Sequence, residues 1–145
     1  MSQETQYRVF ALSSEDIFPE GDWDFVLNWL RTKGNKPYFF RNKKPRNLPI
    51  GSFVLFSFEG RVFGRARTNS LVVKLTEEEQ RRVEVDTGFH YTGKITFDPV
   101  TIEVFDVHPF KRHITERLGI IFSRNFTKLT RTEYNQIVRM CKSAP

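Results

Sequence analysis

The chain has 145 residues, one Cys, 39% hydrophobic and 28% charged residues, and a formal net charge of +6. That length suits one domain with a real core and is short for a multidomain enzyme. The composition excludes a disordered chain, the lone Cys141 excludes an internal disulfide, and no apolar run approaches the ~18 residues of a membrane span. The N-terminus lacks a signal peptide's basic start and apolar stretch, so the cytoplasm is the expected compartment.

In chain order, residues 7–12 (YRVFAL) read as a strand. Ser13-Ser14-Glu15-Asp16 has capping-box spacing and opens a turn or short helix. Asp22 caps a helix running to about Thr32, whose apolar positions Phe25, Val26, Trp29 and Leu30 recur at i, i+3 and i+4, with Gly34 as its stop. Residues 36–49, basic and Pro-punctuated, read as an ordered loop. A hairpin follows: 52–58 (SFVLFSF), a turn at Glu59-Gly60, and 61–67 (RVFGRAR), where Gly64 marks a bulge or a close backbone approach.

Residues 71–75 continue the sheet, and Thr76-Glu77-Glu78-Glu79 reads as a capped helical turn with acids that complement the helix dipole. Short strands are expected over 82–85 and 94–97, an alternating strand over 100–107 (VTIEVFDV), and a buried one over 119–122 (GIIF). Thr130-Arg131-Thr132-Glu133 is a capping box opening a final helix with Tyr134, Ile137, Val138 and Cys141 inward. Many short strands with a helix near each end predict an α+β domain on a small, strongly curved sheet or barrel.

The charge is unevenly placed. Residues 1–30 carry −5, residues 31–74 carry +10 with Glu59 as the single acid, and residues 75–145 carry +1. Such a block creates a field that attracts polyanions. Aromatics sit among these bases, with Tyr38, Phe39 and Phe40 directly before Arg41, a combination suited to stacking on bases that have left a duplex.

Enzyme chemistry has no comparable signal. His90, His108 and His113 lack metal-ligand spacing, and no GxSxG, P-loop or GxGxxG motif occurs. No metal, cofactor or catalytic residue is expected, and a binding module leads.

Three segments then resemble a family pattern in order. Arg41-Asn42 and Arg46-Asn47, followed by Leu48-Pro49-Ile50-Gly51 and an apolar strand, resemble the EVE domain, in which an RN…RN stretch leads into such a strand. Residues 53–66 (FVLFSFEGRVFGRA) look like the hairpin shared by EVE and YTH domains, and 120–138 (IIFSRNFTKLTRTEYNQIV) is similar to their closing strand, turn and helix.

These families share the PUA-like superfold, a compact curved sheet or barrel with flanking helices. Their members typically read modified bases, as do related domains at the N-terminus of McrB-type restriction proteins. The resemblance implies a base pocket with Tyr38 or Phe39 on one wall, Phe89 or Tyr91 on the other, and Ser14 at the base edge. Neither wall carries the Trp of YTH cages; both Trp residues fall in the first helix.

It also implies phosphate contacts from Arg124 and from the basic set Arg41, Lys43, Lys44, Arg46 and Arg65. The expected partner is modified DNA or RNA, with DNA slightly favoured. The resemblance to McrB-type proteins also implies a place as the N-terminal recognition domain of a larger nucleotide-dependent restriction complex. Two alternatives stand beside it: an amidohydrolase of the related ASCH group acting on modified nucleosides, and an RNA-binding domain without modification preference.

Overall fold

The computed structural model describes residues 5–12, 22–41, 48–105 and 126–143. In chain order the elements are β1 (Tyr7–Leu12), α1 (Trp23–Arg31), β2 (Tyr38–Phe40), β3 (Phe53–Phe58), β4 (Arg61–Arg67), β5 (Val73–Lys74), α2 (Glu77–Thr87), β6 (Gly93–Ile95), a 3-10 turn (Pro99–Thr101), β7 (Glu103–Val104), β8 (Thr127–Leu129) and α3 (Arg131–Ser143).

A mixed five-stranded sheet runs β7-β4-β3-β1-β8, and a three-stranded antiparallel sheet runs β2-β6-β5. β1 pairs parallel to β3, from Tyr7 opposite Phe53 to Leu12 opposite Phe58. A parallel pair needs a long crossover, and here the crossover carries α1 and β2. The two sheets meet where Thr68, just past β4, bridges Phe97 beyond β6.

Strand alternation sorts the core into two layers. Phe10, Leu12, Val54, Phe56, Phe58, Phe63 and Ala66 face α1 and the small sheet, packing with Val26, Leu30, Tyr38, Phe40, Ile95 and Phe97. Val9, Leu55, Val62 and Leu129 face the other way, onto Tyr134, Ile137, Val138 and Cys141 of α3. The inward positions expected for the last helix are all buried, and its capping box forms, with Thr130 N–H donating to Glu133 and Glu133 N–H donating to Thr130.

The hairpin turns at Glu59 (φ 51°) and Gly60 (φ 76°), the paired left-handed conformations of a tight two-residue connection. Gly64 satisfies both expectations. The β3–β4 register slips beside it, and a Cβ there would strike Leu30 and lie 2.8 Å from the Glu103 carbonyl oxygen. The lack of a side chain at Gly64 lets α1 lie flat on the sheet.

Four expectations change. Residues 38–40, expected in a loop, form β2, because their backbone pairs with β6 from Tyr38–Ile95 to Phe40–Gly93. Residues 82–85, expected as a strand, lie within α2. There the Thr76 capping box and the left-handed Gly88 (φ 80°) set both ends, and no residue is buried. The strand expected over 100–107 is the 3-10 turn, started by Pro99 with Asp98 capping Val100 N–H, followed by the two residues of β7. β8 adds a strand not anticipated from sequence, antiparallel to β1. Residues 13–16 and the strand expected over 119–122 lie outside the described residues.

Candidate nucleobase cleft

α1 ends where Thr32 folds its N–H and hydroxyl back onto the Asn28 carbonyl, and Gly34 (φ 52°) redirects the chain toward β2. This turn swings Lys33 beneath the Trp29 ring, its Nζ 4.3 Å from that centroid and 5.6 Å from the Tyr38 ring. Strand alternation then sends Tyr38 and Phe40 into the core and leaves Phe39 half-buried on the other side. The end of α2 and the segment leading into β6 present Thr87, Phe89 and Tyr91.

The result is a cleft of about 290 Å³ lined by Trp29, Thr32, Lys33, Lys36, Pro37, Phe39, Thr87 and Tyr91. That is near the small end of ligand pockets, roughly 300–1,000 Å³, and suits a single small ring system. Phe39 and Tyr91 form one aromatic wall, their centroids 5.5 Å apart and their planes inclined by 36°. Phe89 extends it, 6.4 Å from Tyr91, and the Arg41 guanidinium sits 5.4 Å from the Phe89 centroid.

Lys33 is only 4% exposed. Its Nζ donates to the Pro37 carbonyl at 3.4 Å, a long bond, and has no carboxylate partner among the described residues. Burial, and secondarily the nearby Lys36, push its amine down to about 7.

A larger cleft of about 420 Å³ lies on the opposite face of the main sheet, beside α3, lined by residues that include Phe53, Arg65, Arg67, Glu103 and Tyr134. Its polar groups are engaged within the protein, Arg65 and Lys142 by one carboxylate and Arg67 by a backbone carbonyl. Arg65 Nε donates to Glu103 at 2.8 Å, Lys142 approaches the same carboxylate at 3.1 Å, and Arg67 donates twice to the Gly51 carbonyl while lying over Phe53. Burial lowers Arg65, but the Tyr134 hydroxyl and Glu103 outweigh it and leave Arg65 raised. The smaller cleft is the better candidate for an outside ligand, since Trp29, Phe39 and Tyr91 line it around an almost wholly buried cation, Lys33.

Of the expected residues, Phe39 and Tyr91 line this cleft, while Phe89 and Arg41 adjoin Tyr91 without lining it. Tyr38 does not join them: it is buried, 5.2 Å from both Phe10 and Phe40 by ring centroid, and serves the core. Arg65 is also elsewhere, because its strand position points to the α3 face. Ser14, Lys43, Lys44, Arg46 and Arg124 lie outside the described residues. Sequence reasoning missed Lys33, Lys36 and Thr87, and it assigned Trp29 only to the helix's apolar face. The Trp lacking from the two expected wall positions reaches the cleft from α1 instead.

No protein-family model matches the sequence, and no curated protein matches it. Solved structures do match the fold. An ASCH protein from Zymomonas mobilis superposes with a TM-score of 0.54 at 14% identity, covering 93% of this chain and 96% of its own. The YTH domain of the Zygosaccharomyces rouxii MRB1 protein, in complex with N6-methyladenosine RNA, gives a TM-score of 0.54 at 16% identity, covering 100% of this chain and 92% of its own. The fold is PUA-like. The PUA-like architecture here is the α+β arrangement expected from the sequence, with its curved sheets flanked by α1 and α3. Among the described residues no group of three or more His, Cys, Asp or Glu side chains converges on a metal site, and no helix is long and apolar enough to cross a membrane.

Proposed function

We propose that the chain is a nucleic-acid-binding module that takes one modified base, flipped or single-stranded, into the Trp29–Phe39–Tyr91 cleft. The observation that carries this is the cleft itself: about 290 Å³ with aromatic walls and two basic residues, Lys33 and Lys36, in its lining. The PUA-like neighbour solved with N6-methyladenosine RNA supports the same class of ligand.

The physics suits the task. A base leaving a duplex costs a few kcal/mol of stacking and pairing. Stacking on aromatic side chains returns about 1–3 kcal/mol per base. A methyl group adds only about 0.8 kcal/mol on burial, so a reader must enclose it closely. The basic 31–74 block supplies sequence-independent attraction to phosphates. DNA is favoured slightly over RNA on the EVE-like RN…RN segment, and attachment to a larger restriction complex belongs to the same proposal. Binding without turnover is the activity proposed.

A second reading, an ASCH-like amidohydrolase acting on modified nucleosides, is favoured by one observation: Lys33, with its lowered pKa, shares the cleft with Thr32 and Thr87. No carboxylate lines that cleft among the described residues. Incubation with an acylated nucleoside separates the two readings, since a reader returns it unchanged and a hydrolase releases the free acid.

A further inference from the structure

The polar groups around the cleft are unevenly divided between donors and acceptors. Lys33 and Lys36 offer only N–H donors when protonated, and the Trp29 indole offers only an N–H. The Thr32 hydroxyl donates to Asn28 O at 2.8 Å, and the Thr87 hydroxyl donates to Val83 O at 2.7 Å while accepting from Phe89 N–H at 3.1 Å. No carboxylate or side-chain amide lines the cleft among the described residues. The acceptors among the lining groups are the Tyr91 hydroxyl and the Pro37 carbonyl that Lys33 already engages, so a ligand donor meets no anion there. An edge that brings an oxygen meets a buried amine held by a single long bond to Pro37 O, at 3.4 Å.

Resting on the base-binding proposal above, we propose that Lys33 determines which base the cleft accepts: its amine hydrogen-bonds an exocyclic oxygen, so oxo-bearing bases are held in preference to their amino-bearing counterparts. A thymine-like or hypoxanthine-like edge presents such an oxygen where 5-methylcytosine or adenine presents an NH₂ donor. The adjacent ring nitrogen changes the other way, from acceptor to N–H, so the selection requires Lys33 to reach the exocyclic position. The O2 oxygen common to both pyrimidines cancels in the comparison.

The geometry also gives the selection a pH dependence. The titratable groups facing Lys33 are Lys36 from the turn after α1, Tyr38 from β2 and Tyr91 across the cleft, none of them a carboxylate. Without a ligand the amine loses its proton near pH 7. An oxygen acceptor favours the charged form and raises that value in the complex. Affinity for the oxo base is then constant below about pH 7 and falls above it, by at most about tenfold per unit, until the bound-state value is passed.

The test uses fluorescence anisotropy at fixed salt on single-stranded oligonucleotides differing at one nucleotide, hypoxanthine against adenine and thymine against 5-methylcytosine, from pH 6 to pH 9. Wild type is expected to favour the oxo member by roughly tenfold at pH 6, since a hydrogen bond to a charged group is worth about 1.5–3 kcal/mol, and to lose part of that by pH 9. Lys33→Met removes both the preference and its pH dependence. Lys33→Arg keeps the preference but not the pH dependence, and it decides the matter if the Met variant does not fold.

Equal binding of both members by wild type, or a preference that survives Lys33→Met or disappears in Lys33→Arg, overturns the inference. Phe39→Ala and Tyr91→Ala run alongside. If they bind every probe as wild type does, the cleft is not the base site and the proposed function fails with it. If they weaken binding while Lys33→Met changes nothing, only the role of Lys33 falls.

Discussion

Leu30 occupies the space that a side chain at Gly64 would need, so the helix bearing Trp29, with Lys33 in the turn that follows it, is seated directly against the backbone of β4. The same contact couples the hydrophobic core to the cleft, because α1 supplies Leu30 to one and Trp29 to the other. The new Cβ of Gly64→Ala must displace both Leu30, and α1 with it, and the Glu103 carbonyl of β7. The expected cost is about 1–3 kcal/mol, read as a lower midpoint in chemical denaturation, with weaker ligand binding because Trp29 and Lys33 move with the helix.

Neighbouring residues on β2 should behave in opposite ways. Tyr38→Ala opens a cavity among Phe10, Phe40 and Phe97, and destabilisation of about 3 kcal/mol or more is expected by the same denaturation assay. Phe39→Ala leaves the core intact and removes a cleft wall. Its stability should change little while affinity for the modified oligonucleotide falls by about 1–3 kcal/mol. A Phe39→Ala protein that is unfolded, or a Tyr38→Ala protein as stable as wild type, contradicts this division.

Lys33 gives stability a particular pH dependence. Its folded-state value of about 7 lies below the ordinary 10.5, so between these the unfolded chain holds a proton that the folded chain does not. Stability therefore rises with pH across that window, by up to about 1.4 kcal/mol per unit, and the full cost of burying the charge is felt below pH 7. Lys33→Met should be more stable than wild type at pH 6.5, with the difference shrinking toward pH 10. A constant difference across the range, measured by urea denaturation at each pH, contradicts the lowered value.

On the opposite face, Glu103 is held below the usual carboxylate range. Burial raises it, but Lys142 and Arg65 together outweigh that. The folded form thus favours the ionised carboxylate, which contributes stability above pH 4.5 that is lost as pH falls through the folded-state value. Glu103→Gln should flatten this acid limb. Arg65→Ala should reduce stability while leaving discrimination between modified and unmodified bases unchanged, since Arg65 points toward α3 and not into the cleft.

The fold was legible wherever the signal was local. β1 matches its apolar run, the β3–β4 hairpin matches its two runs and the Glu59-Gly60 turn, and α3 matches its capping box and inward face. The PUA-like expectation rested on the order of these segments. The errors fall where partners are distant in sequence. Tyr38–Phe40 is a strand only because β6 pairs with it, which the flanking Pro37 and basic residues conceal. Val83 and Val85 alternate like a strand, yet they belong to a helix that buries nothing and so shows no apolar periodicity.

The cleft was half legible for the same reason. Phe39, Phe89, Tyr91 and Arg41 stood out as aromatics and a base near the resemblance's pocket. Lys33 lies between Arg31 and Lys36 in a stretch that looks solvated, and only the turn at Gly34 takes it under Trp29. Nothing in the local sequence marks a lysine that is 4% exposed.

The most direct test of the central claim is a fixed-salt anisotropy panel. It pairs unmodified oligonucleotides with their hypoxanthine, 5-methylcytosine, 5-hydroxymethylcytosine and N6-methyladenine versions, as single- and double-stranded DNA and as RNA, against wild type and Tyr91→Ala. The predicted result is tighter binding of one modified member by wild type, lost in Tyr91→Ala while salt-sensitive background binding persists. Equal, salt-sensitive binding of every member by both proteins would contradict it, leaving a basic surface with no base-reading cleft.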